Sequence, residues 1–148
     1  MKDRQPTVTI LMADDDDDDS LLVHDALLES QLPIQLYTVK DGEELMDYLS
    51  HRGLYTDVSK APRPALILLD LNMPKKPGLE VLKEIKTHPQ LRQIPVIVLT
   101  GSSAEEDIYN TYNFGANSFI IKPGNFTSLV EVMKTIGKYW FEIVELPI

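Results

Sequence analysis

The sequence predicts an α/β domain built on a doubly wound sheet of five parallel strands, and three observations lead to this prediction. Five short apolar runs alternate along the chain with longer amphipathic segments. No segment of roughly 20–50 residues recurs, which excludes repeat architectures. The length of 148 residues with 43% apolar content suits one domain with a substantial core. Parallel neighbours need crossover helices, so strict alternation of strand and helix gives a parallel sheet.

The five apolar runs are the predicted strands. They are residues 7–13, 34–39, 65–69, 94–99 and 118–121. The first is rich in β-branched side chains, and the acidic residues after it end the strand because consecutive carboxylates cannot be buried unpaired. Residues 34–39 alternate apolar and polar side chains, which is typical of a half-exposed edge strand. Residues 65–69 are continuously apolar, as in a strand covered on both faces.

Five amphipathic segments between and after these strands are predicted to be helices. They run from Ser20 to about Gln31, from Asp41 to about His51, from Gly78 past Ile85, from Ala104 to Phe114, and from Asn125 along an apolar stripe to Val144. Ser20, or Asp19 before it, is expected to cap the first helix, and residues 16–18 are expected to be solvated. Residues 52–64 contain three helix breakers and form a loop long enough to be functional.

These elements fill residues 7–144, which sets the expected boundaries of the domain. We expect a flexible tail at residues 1–6 and a short C-terminal tail at residues 145–148. Beyond about Tyr139 the last helix outruns the sheet, so its apolar stripe needs another surface. A homodimer is the simplest such surface.

The composition excludes several classes of protein. With 14 basic and 23 acidic side chains the net charge is −9, which argues against nucleic acid or an anionic membrane as a partner. Six of the acids form the unbroken run Asp14–Asp19, without which the charge would be −3. The absence of cysteine excludes a disulfide scaffold and thiol catalysis. No apolar stretch approaches the ~20 residues of a membrane span, and the polar start differs from a signal peptide, so we expect a cytoplasmic protein.

The order of the strands follows from two constraints. The amphipathic segment 34–39 belongs at an edge of the sheet, and the crossover connections must be right-handed. The flavodoxin-like order 2-1-3-4-5 satisfies both constraints. It places a ligand crevice beyond the carboxyl ends of the first and third strands.

Polar side chains follow four of the strands and are predicted to meet in this crevice. They are Asp14 and Asp15 after the first strand, Asp70 after the third, Thr100 at the end of the fourth, and Lys122 after the fifth. Three carboxylates this close raise one another's pKa unless a cation neutralises them. Oxygen donors with room for water suit Mg²⁺ better than Ca²⁺, and the crevice lacks the histidine or cysteine that zinc prefers.

A magnesium site flanked by a hydroxyl and an ammonium group suits phosphoryl transfer. Asp70 would be the nucleophile, because a carboxylate that attacks phosphorus gives a reactive acyl phosphate and therefore a temporary mark. The metal and Lys122 would neutralise oxygens of the transferred group, while Thr100 would donate a hydrogen bond.

Other functions can be weighed on the same residues. A flavin phosphate after the first strand would be repelled by the acidic run, which argues against a flavodoxin. An aspartyl-intermediate phosphohydrolase of the haloacid-dehalogenase type is the alternative enzyme, although that class has a second acid two positions after its nucleophile, where this chain has Asn72. A non-signalling adaptor that keeps the fold without the chemistry is the third hypothesis, and the complete set of polar residues argues against it.

The motifs together resemble the receiver domain of two-component response regulators. They are Asp14-Asp15, Asp70 in Leu-Leu-Asp-Leu-Asn-Met-Pro, Thr100 in Val-Leu-Thr-Gly, and Lys122-Pro123, and the resemblance covers residues 8 to about 142. It implies that Asp70 accepts a phosphoryl group from a histidine kinase and becomes 4-aspartylphosphate. The chain would then be a signalling phosphoacceptor that catalyses only its own phosphorylation and dephosphorylation.

The resemblance also implies roles for the neighbouring residues. Asp15, Asp70 and the backbone carbonyl of Asn72 would hold Mg²⁺, with Asp14 assisting directly or through water. Thr100 and Lys122 would bind the phosphoryl oxygens, and the Lys122–Pro123 bond would be cis. Phe119 occupies the position of the switch aromatic, acting with Thr100. Because Phe119 lacks the commoner tyrosine's hydroxyl, its switching would depend on burial alone.

Three further segments resemble single-domain regulators paired with cyanobacterial and related bacterial phytochromes. These segments are the loop at residues 52–64, the Pro-Lys-Lys-Pro-Gly turn at residues 74–78, and the ending from Tyr139 to Pro147. The likeness implies a sensor histidine kinase of the phytochrome type as partner. Two residues follow Leu146, so we expect a stand-alone regulator whose output comes from docking to a downstream protein.

Overall fold

The computed structural model describes residues 7–147; the tail predicted at residues 1–6, like Ile148, lies outside the described residues. The strands are β1 (Val8–Ala13), β2 (Ile34–Val39), β3 (Leu66–Leu69), β4 (Val96–Thr100) and β5 (Ser118–Ile121). The helices are α1 (Asp17–Ser30), α2 (Gly42–Ser50), α3 (Gly78–Thr87), α4 (Glu105–Asn113) and α5 (Phe126–Lys138). Two short 3₁₀ turns, Gly53–Tyr55 and Val58–Lys60, lie between α2 and β3, and a π-helical turn, Tyr139–Ile143, follows α5.

The five strands form one parallel sheet in the order β2-β1-β3-β4-β5, as the sequence predicts. Ala13 pairs with Leu69 across β1 and β3, so the residues that follow both strands emerge at the same level. The ladder continues one step further, because the Asp70 N–H donates to the carbonyl of Ala13 at 2.9 Å. The carboxyl ends of these strands are therefore aligned before any side chain is considered.

Apolar side chains alternate along the strands and build a core on each face of the sheet. Leu11 and Ala13 belong to the core that α2 and α3 cover, whereas Ile10 and Met12 belong to the core that α1 and α5 cover. All four residues of β3 are buried, which confirms that this strand is covered on both faces. In β2, Gln35 and Thr38 are exposed and the other four residues are partly or fully buried. This partial exposure is in keeping with the place of β2 at an edge of the sheet.

The first helix begins earlier than its predicted start at Ser20. It starts at Asp17, and the carboxylate of Asp16 caps it by accepting hydrogen bonds from the backbone N–H groups of Asp18 and Asp19. Neither Ser20 nor Asp19 is the cap. Acidic side chains in a first turn interact favourably with the positive end of the helix dipole, so the last three residues of the acidic run extend the helix instead of preceding it.

The loop at residues 52–64 is folded against α2. The Tyr48 hydroxyl donates to the carbonyl of Pro62 at 2.8 Å, and a ring nitrogen of His51 lies 2.9 Å from the carbonyl of Ala61. The Tyr55 hydroxyl donates to the carboxylate of Glu44. These bonds fix the loop as an extension of α2; its function stays a prediction.

The C-terminal segment continues past α5 as the π-helical turn Tyr139–Ile143, and part of this turn stays packed on the core instead of outrunning the sheet. Trp140 and Phe141 are half-buried against the core between the sheet and α1 and α5, while Tyr139 and Ile143 are exposed. Residues 145–147 have no regular structure. Within the described part of the chain, none of the helices has the length and apolar character to traverse a lipid bilayer.

Gly78 begins α3 directly against the backbone that follows β3, and this close approach is testable. A Cβ atom at Gly78 would lie 2.5 Å from the carbonyl oxygen of Asp70 and 2.6 Å from the Cα of Leu71. Because backbone atoms cannot rotate away, we expect Gly78→Ala to lower the free energy of unfolding by about 1–3 kcal/mol.

Gly124→Ala is the matched control, because a Cβ there meets nothing within 4 Å. Its free energy of unfolding should stay within about 0.5 kcal/mol of the natural chain. Urea denaturation of the two variants makes the comparison, and equal stabilities would contradict the close-approach explanation.

Candidate functional site

Four strands deliver the polar side chains predicted from the sequence to one hollow at their carboxyl ends. Asp14, Asp70 and Thr100 are buried there, Lys122 is partly buried, and Asp15 is exposed. The predicted convergence is therefore confirmed. It follows from the sheet order, since β1, β3, β4 and β5 are successive neighbours.

The carboxylate of Asp70 is held by three donors. Its Oδ1 accepts hydrogen bonds from Thr100 Oγ1 at 2.7 Å and from the backbone N–H of Asn72 at 3.1 Å. Its Oδ2 lies 3.2 Å from Lys122 Nζ. Thr100 is completely buried, so its hydroxyl has a fixed position. Hydrogen-bond donors thus fix the orientation of both carboxylate oxygens of Asp70.

Lys122 contacts three carboxylates with one ammonium group. Its Nζ lies 2.7 Å from Asp14 Oδ2 and 2.7 Å from Asp19 Oδ2, in addition to the contact with Asp70. Burial by itself lowers the pKa of Lys122, but the hydrogen bonds to Asp14 and Asp19 and the charges of Asp14 and Asp70 outweigh it and raise the pKa above its usual value. The ammonium form is therefore firmly retained.

The ionised form of Asp14 is disfavoured by its surroundings. Burial raises the pKa of Asp14, and the negative charge of Asp70 acts in the same direction. The hydrogen bonds from Lys122 and from the backbone N–H of Asp16, at 2.9 Å, offset part of this effect. A buried carboxylate whose charged form is disfavoured gains from any further positive charge nearby.

The donor set fits a divalent cation. Asp14, Asp15 and Asp70 each place a carboxylate oxygen so that the three oxygens lie within 4.8 Å of one another. This grouping contains only oxygen donors, and hard cations such as Mg²⁺ and Mn²⁺ prefer them. Asp15 is exposed, which leaves an open side for water. The backbone N–H of Asn72 donates to Asp70 Oδ1, which holds Asn72 near the carboxylate cluster. The role of the Asn72 carbonyl as a metal ligand stays a prediction.

The sequence pattern did not predict the contact between Asp19 and Lys122, because Asp19 was expected to be a helix cap. Asp16 provides the cap, and Asp19 lies in the first turn of α1 beside the hollow. If Asp16 is taken as the cap, Asp19 falls in the first turn of the helix, close to the strand ends. That placement would have indicated a contact with the hollow.

Phe119 lies half-buried against the core between the sheet and α2 and α3. Its backbone N–H donates to the Tyr112 hydroxyl of α4 at 3.1 Å, and its role as a switch stays a prediction. The Lys122–Pro123 bond is trans, contrary to the expected cis form, since the described chain has no cis peptide bond. The two isomers of a bond before proline differ by only about 0.5–1 kcal/mol, so the motif alone does not determine the isomer.

Comparison with known proteins decides the family. Residues 10–134 match the response regulator receiver domain. The chain belongs to this family. It is a phosphoacceptor signalling domain, and the predicted receiver fold is confirmed. The phosphohydrolase alternative is not favoured, in keeping with Asn72 at the position where that enzyme class has an acid.

The similarity to individual response regulators extends over almost the whole chain. The response regulator Rcp1 of Synechocystis sp. is 41% identical over 145 residues, which is 98% of this chain and 97% of that protein. The crystal structure of the phosphorylated cyanobacterial phytochrome response regulator RcpA is 42% identical, with a TM-score of 0.89 over 97% of this chain and 100% of that one. The Mn²⁺-bound form of Rcp1 has a TM-score of 0.85 at 41% identity, over 95% and 99% of the two chains.

The raised pKa of Asp14 predicts that the free energy of unfolding depends on pH in metal-free buffer. Because burial raises the pKa of Asp14 above its unfolded value, the stability that protonated Asp14 contributes is lost as the pH rises through the folded pKa. An asparagine side chain at this position cannot ionise, so we expect Asp14→Asn to be more stable than the natural chain at about pH 7, with the difference shrinking toward about pH 4.

Chemical denaturation across this pH range with a chelator present measures the difference. Asp18→Asn serves as the control, because Asp18 is an exposed member of the same acidic run. A difference for Asp14→Asn that widens on acidification would contradict the prediction.

Proposed function

We propose that Asp70 is the phosphoacceptor of this receiver and that a sensor histidine kinase supplies the phosphoryl group. The observation that carries the proposal is the carboxylate of Asp70, oriented by Thr100, Lys122 and the N–H of Asn72 beside two further carboxylates. One oxygen of Asp70 forms a bond to phosphorus while the bond from phosphorus to the kinase's histidine nitrogen breaks. The imidazole leaves with a proton from solvent, and the product is 4-aspartylphosphate.

Mg²⁺ is the proposed cofactor. Asp14, Asp15 and Asp70, together with the carbonyl of Asn72, would hold it. When bound, the ion supplies positive charge to the oxygens of the transferred group. The support is the oxygen-only cluster of three carboxylates and the Mn²⁺-bound form of the similar protein Rcp1.

Thr100 and Lys122 complete the catalytic set. In the unphosphorylated chain each donates to a different oxygen of Asp70, Thr100 to Oδ1 and Lys122 to Oδ2. After transfer, both donors move to phosphoryl oxygens and stabilise their negative charge. The same arrangement presents the acyl phosphate to water, so the domain catalyses its own phosphorylation and dephosphorylation.

Thr100 and Phe119 form the proposed conformational switch. The carbonyl of Thr100 accepts a hydrogen bond from the N–H of Lys122 at 2.8 Å, and Thr100 pairs with Ile121 of β5. A shift of Thr100 toward a phosphoryl group is therefore transmitted to β5. Phe119, half-buried in the same strand, responds by changing its burial, and its N–H bond to Tyr112 carries the change to α4.

A kinase of the phytochrome type is the proposed partner. The support is the similarity over nearly the whole chain to RcpA, a cyanobacterial phytochrome response regulator. The receiver would occupy residues 7–144 and act in the cytoplasm, where a kinase finds ATP. Output is proposed to come from docking of the receiver to a downstream protein.

The phosphoacceptor is tested with acetyl phosphate and Mg²⁺. Mass spectrometry should show one added phosphate on the natural chain, and Asp70→Asn should abolish it because the amide nitrogen is no nucleophile at phosphorus. Asp18→Asn is the matched control and should be labelled like the natural chain, since Asp18 is exposed and outside the carboxylate cluster. Undiminished labelling of Asp70→Asn would refute the assignment.

A homodimer is proposed to cover the apolar side chains of the C-terminal turn. Tyr139 and Ile143 are 49% and 61% exposed. We expect a concentration-dependent dimer in sedimentation equilibrium that Ile143→Glu weakens at least about tenfold, because a charge would have to be buried. Leu54→Glu, at an exposed position in the loop at residues 52–64, is the control. A natural chain that stays monomeric with and without phosphate would contradict this.

A further inference from the structure

We propose that Asp19 is a positioning residue that shares the Lys122 ammonium with Asp70 and thereby limits how strongly Lys122 binds a phosphoryl group on Asp70. This inference rests on the proposed role of Asp70 as phosphoacceptor. It assigns a function to one specific member of the acidic run.

The distances around Lys122 give the first step. Nζ lies 2.7 Å from Asp14, 2.7 Å from Asp19 and 3.2 Å from Asp70. A lysine ammonium has three N–H donors, and here each has one carboxylate acceptor. The contact with Asp70 is the longest of the three, so the ammonium is drawn away from the phosphoacceptor.

The position of Asp19 is fixed by the start of α1. Its backbone N–H donates to the capping carboxylate of Asp16 at 3.2 Å, which anchors the first turn beside the hollow. The side chain of Asp19 is 35% exposed, against 8% for Asp70 and 0% for Asp14. Asp19 therefore holds the ammonium from the solvent side of the hollow.

The three carboxylates that contact Lys122 differ in what happens to them during the reaction. Asp70 receives the phosphoryl group, and Asp14 belongs to the trio of carboxylates that fits a divalent cation. Asp19 is outside that trio, so neither event changes its charge. It competes for the ammonium equally before and after phosphorylation.

This competition has a direct consequence. For Lys122 to bind a phosphoryl oxygen fully, the ammonium must leave Asp19 or be shared with it. Part of the interaction energy between Lys122 and the phosphoryl group is then offset by the weakened contact with Asp19. Removing the carboxylate of Asp19 should therefore strengthen the phosphorylated state.

Beryllofluoride is a suitable equilibrium probe, because it binds an aspartate oxygen and mimics a phosphoryl group. With Mg²⁺ fixed and at low ionic strength, Asp19→Asn should bind beryllofluoride about two- to fivefold more tightly than Asp18→Asn. Asp18→Asn removes the same charge from the same helical turn, so it accounts for the general effect of net charge. Asp19→Glu, which keeps the negative charge, should return the affinity toward that of the natural chain.

The remaining outcomes separate the two proposals. If the natural chain binds no beryllofluoride, or Asp70→Asn binds it equally well, the phosphoacceptor assignment fails. If Asp70 is required but Asp19→Asn binds equally to or more weakly than Asp18→Asn, only the role of Asp19 is overturned. Circular dichroism checks folding of each variant, and Asp19→Ser is the second neutral variant should Asp19→Asn not fold.

Discussion

The structure depends on the balance between one buried ammonium group and the carboxylates that surround it. Lys122 contacts Asp14, Asp19 and Asp70, and Asp15 stands beside them in the candidate metal cluster. One positive charge does not neutralise this many acids, and burial disfavours the charged form of Asp14 in particular. The hollow can therefore accept further positive charge, such as that of the divalent ion proposed as cofactor.

The sheet makes this concentration of charge tolerable. Burial of apolar side chains on both faces of β1, β3 and β4 supplies the stability against which the acidic hollow is built. The backbone ladder extends past the strand ends, with the N–H of Asp70 bonded to Ala13 and that of Lys122 bonded to Thr100. The side chains of the hollow consequently stand on hydrogen-bonded backbone, which holds Asp14 and Asp70 close together although their carboxylates repel each other. The absence of a side chain at Gly78 allows the start of α3 to pack directly against the backbone of Asp70 and Leu71.

The acidic run shows how chemically identical residues acquire different roles. Asp16 caps α1, Asp17 lies 3.1 Å from Lys40 in an exposed ion pair, and Asp19 contacts Lys122 in the hollow. Exposed pairs such as that with Lys40 contribute little to stability because solvent and salt screen them. The contact of Asp19 is different in kind, since its partner Lys122 is also bonded to Asp70, the proposed phosphoacceptor. The acidic run thus supplies an exposed ion pair, a helix cap and a contact with the lysine of the hollow.

Local patterns were enough to predict the five strands and their order, because apolar periodicity survives folding and one amphipathic edge strand with right-handed crossovers fixes the arrangement. The residues of the hollow were found because each stands at the end of a strand. The separate roles of the six aspartates were not predictable, since identical residues share local preferences and the choice of Asp19 depends on a lysine 103 positions away. The trans Lys122–Pro123 bond was not predictable for the same reason, whereas the apolar stripe did predict that Trp140 and Phe141 pack against the core. The energies that separate such alternatives come from contacts between distant parts of the chain, which a local pattern does not contain.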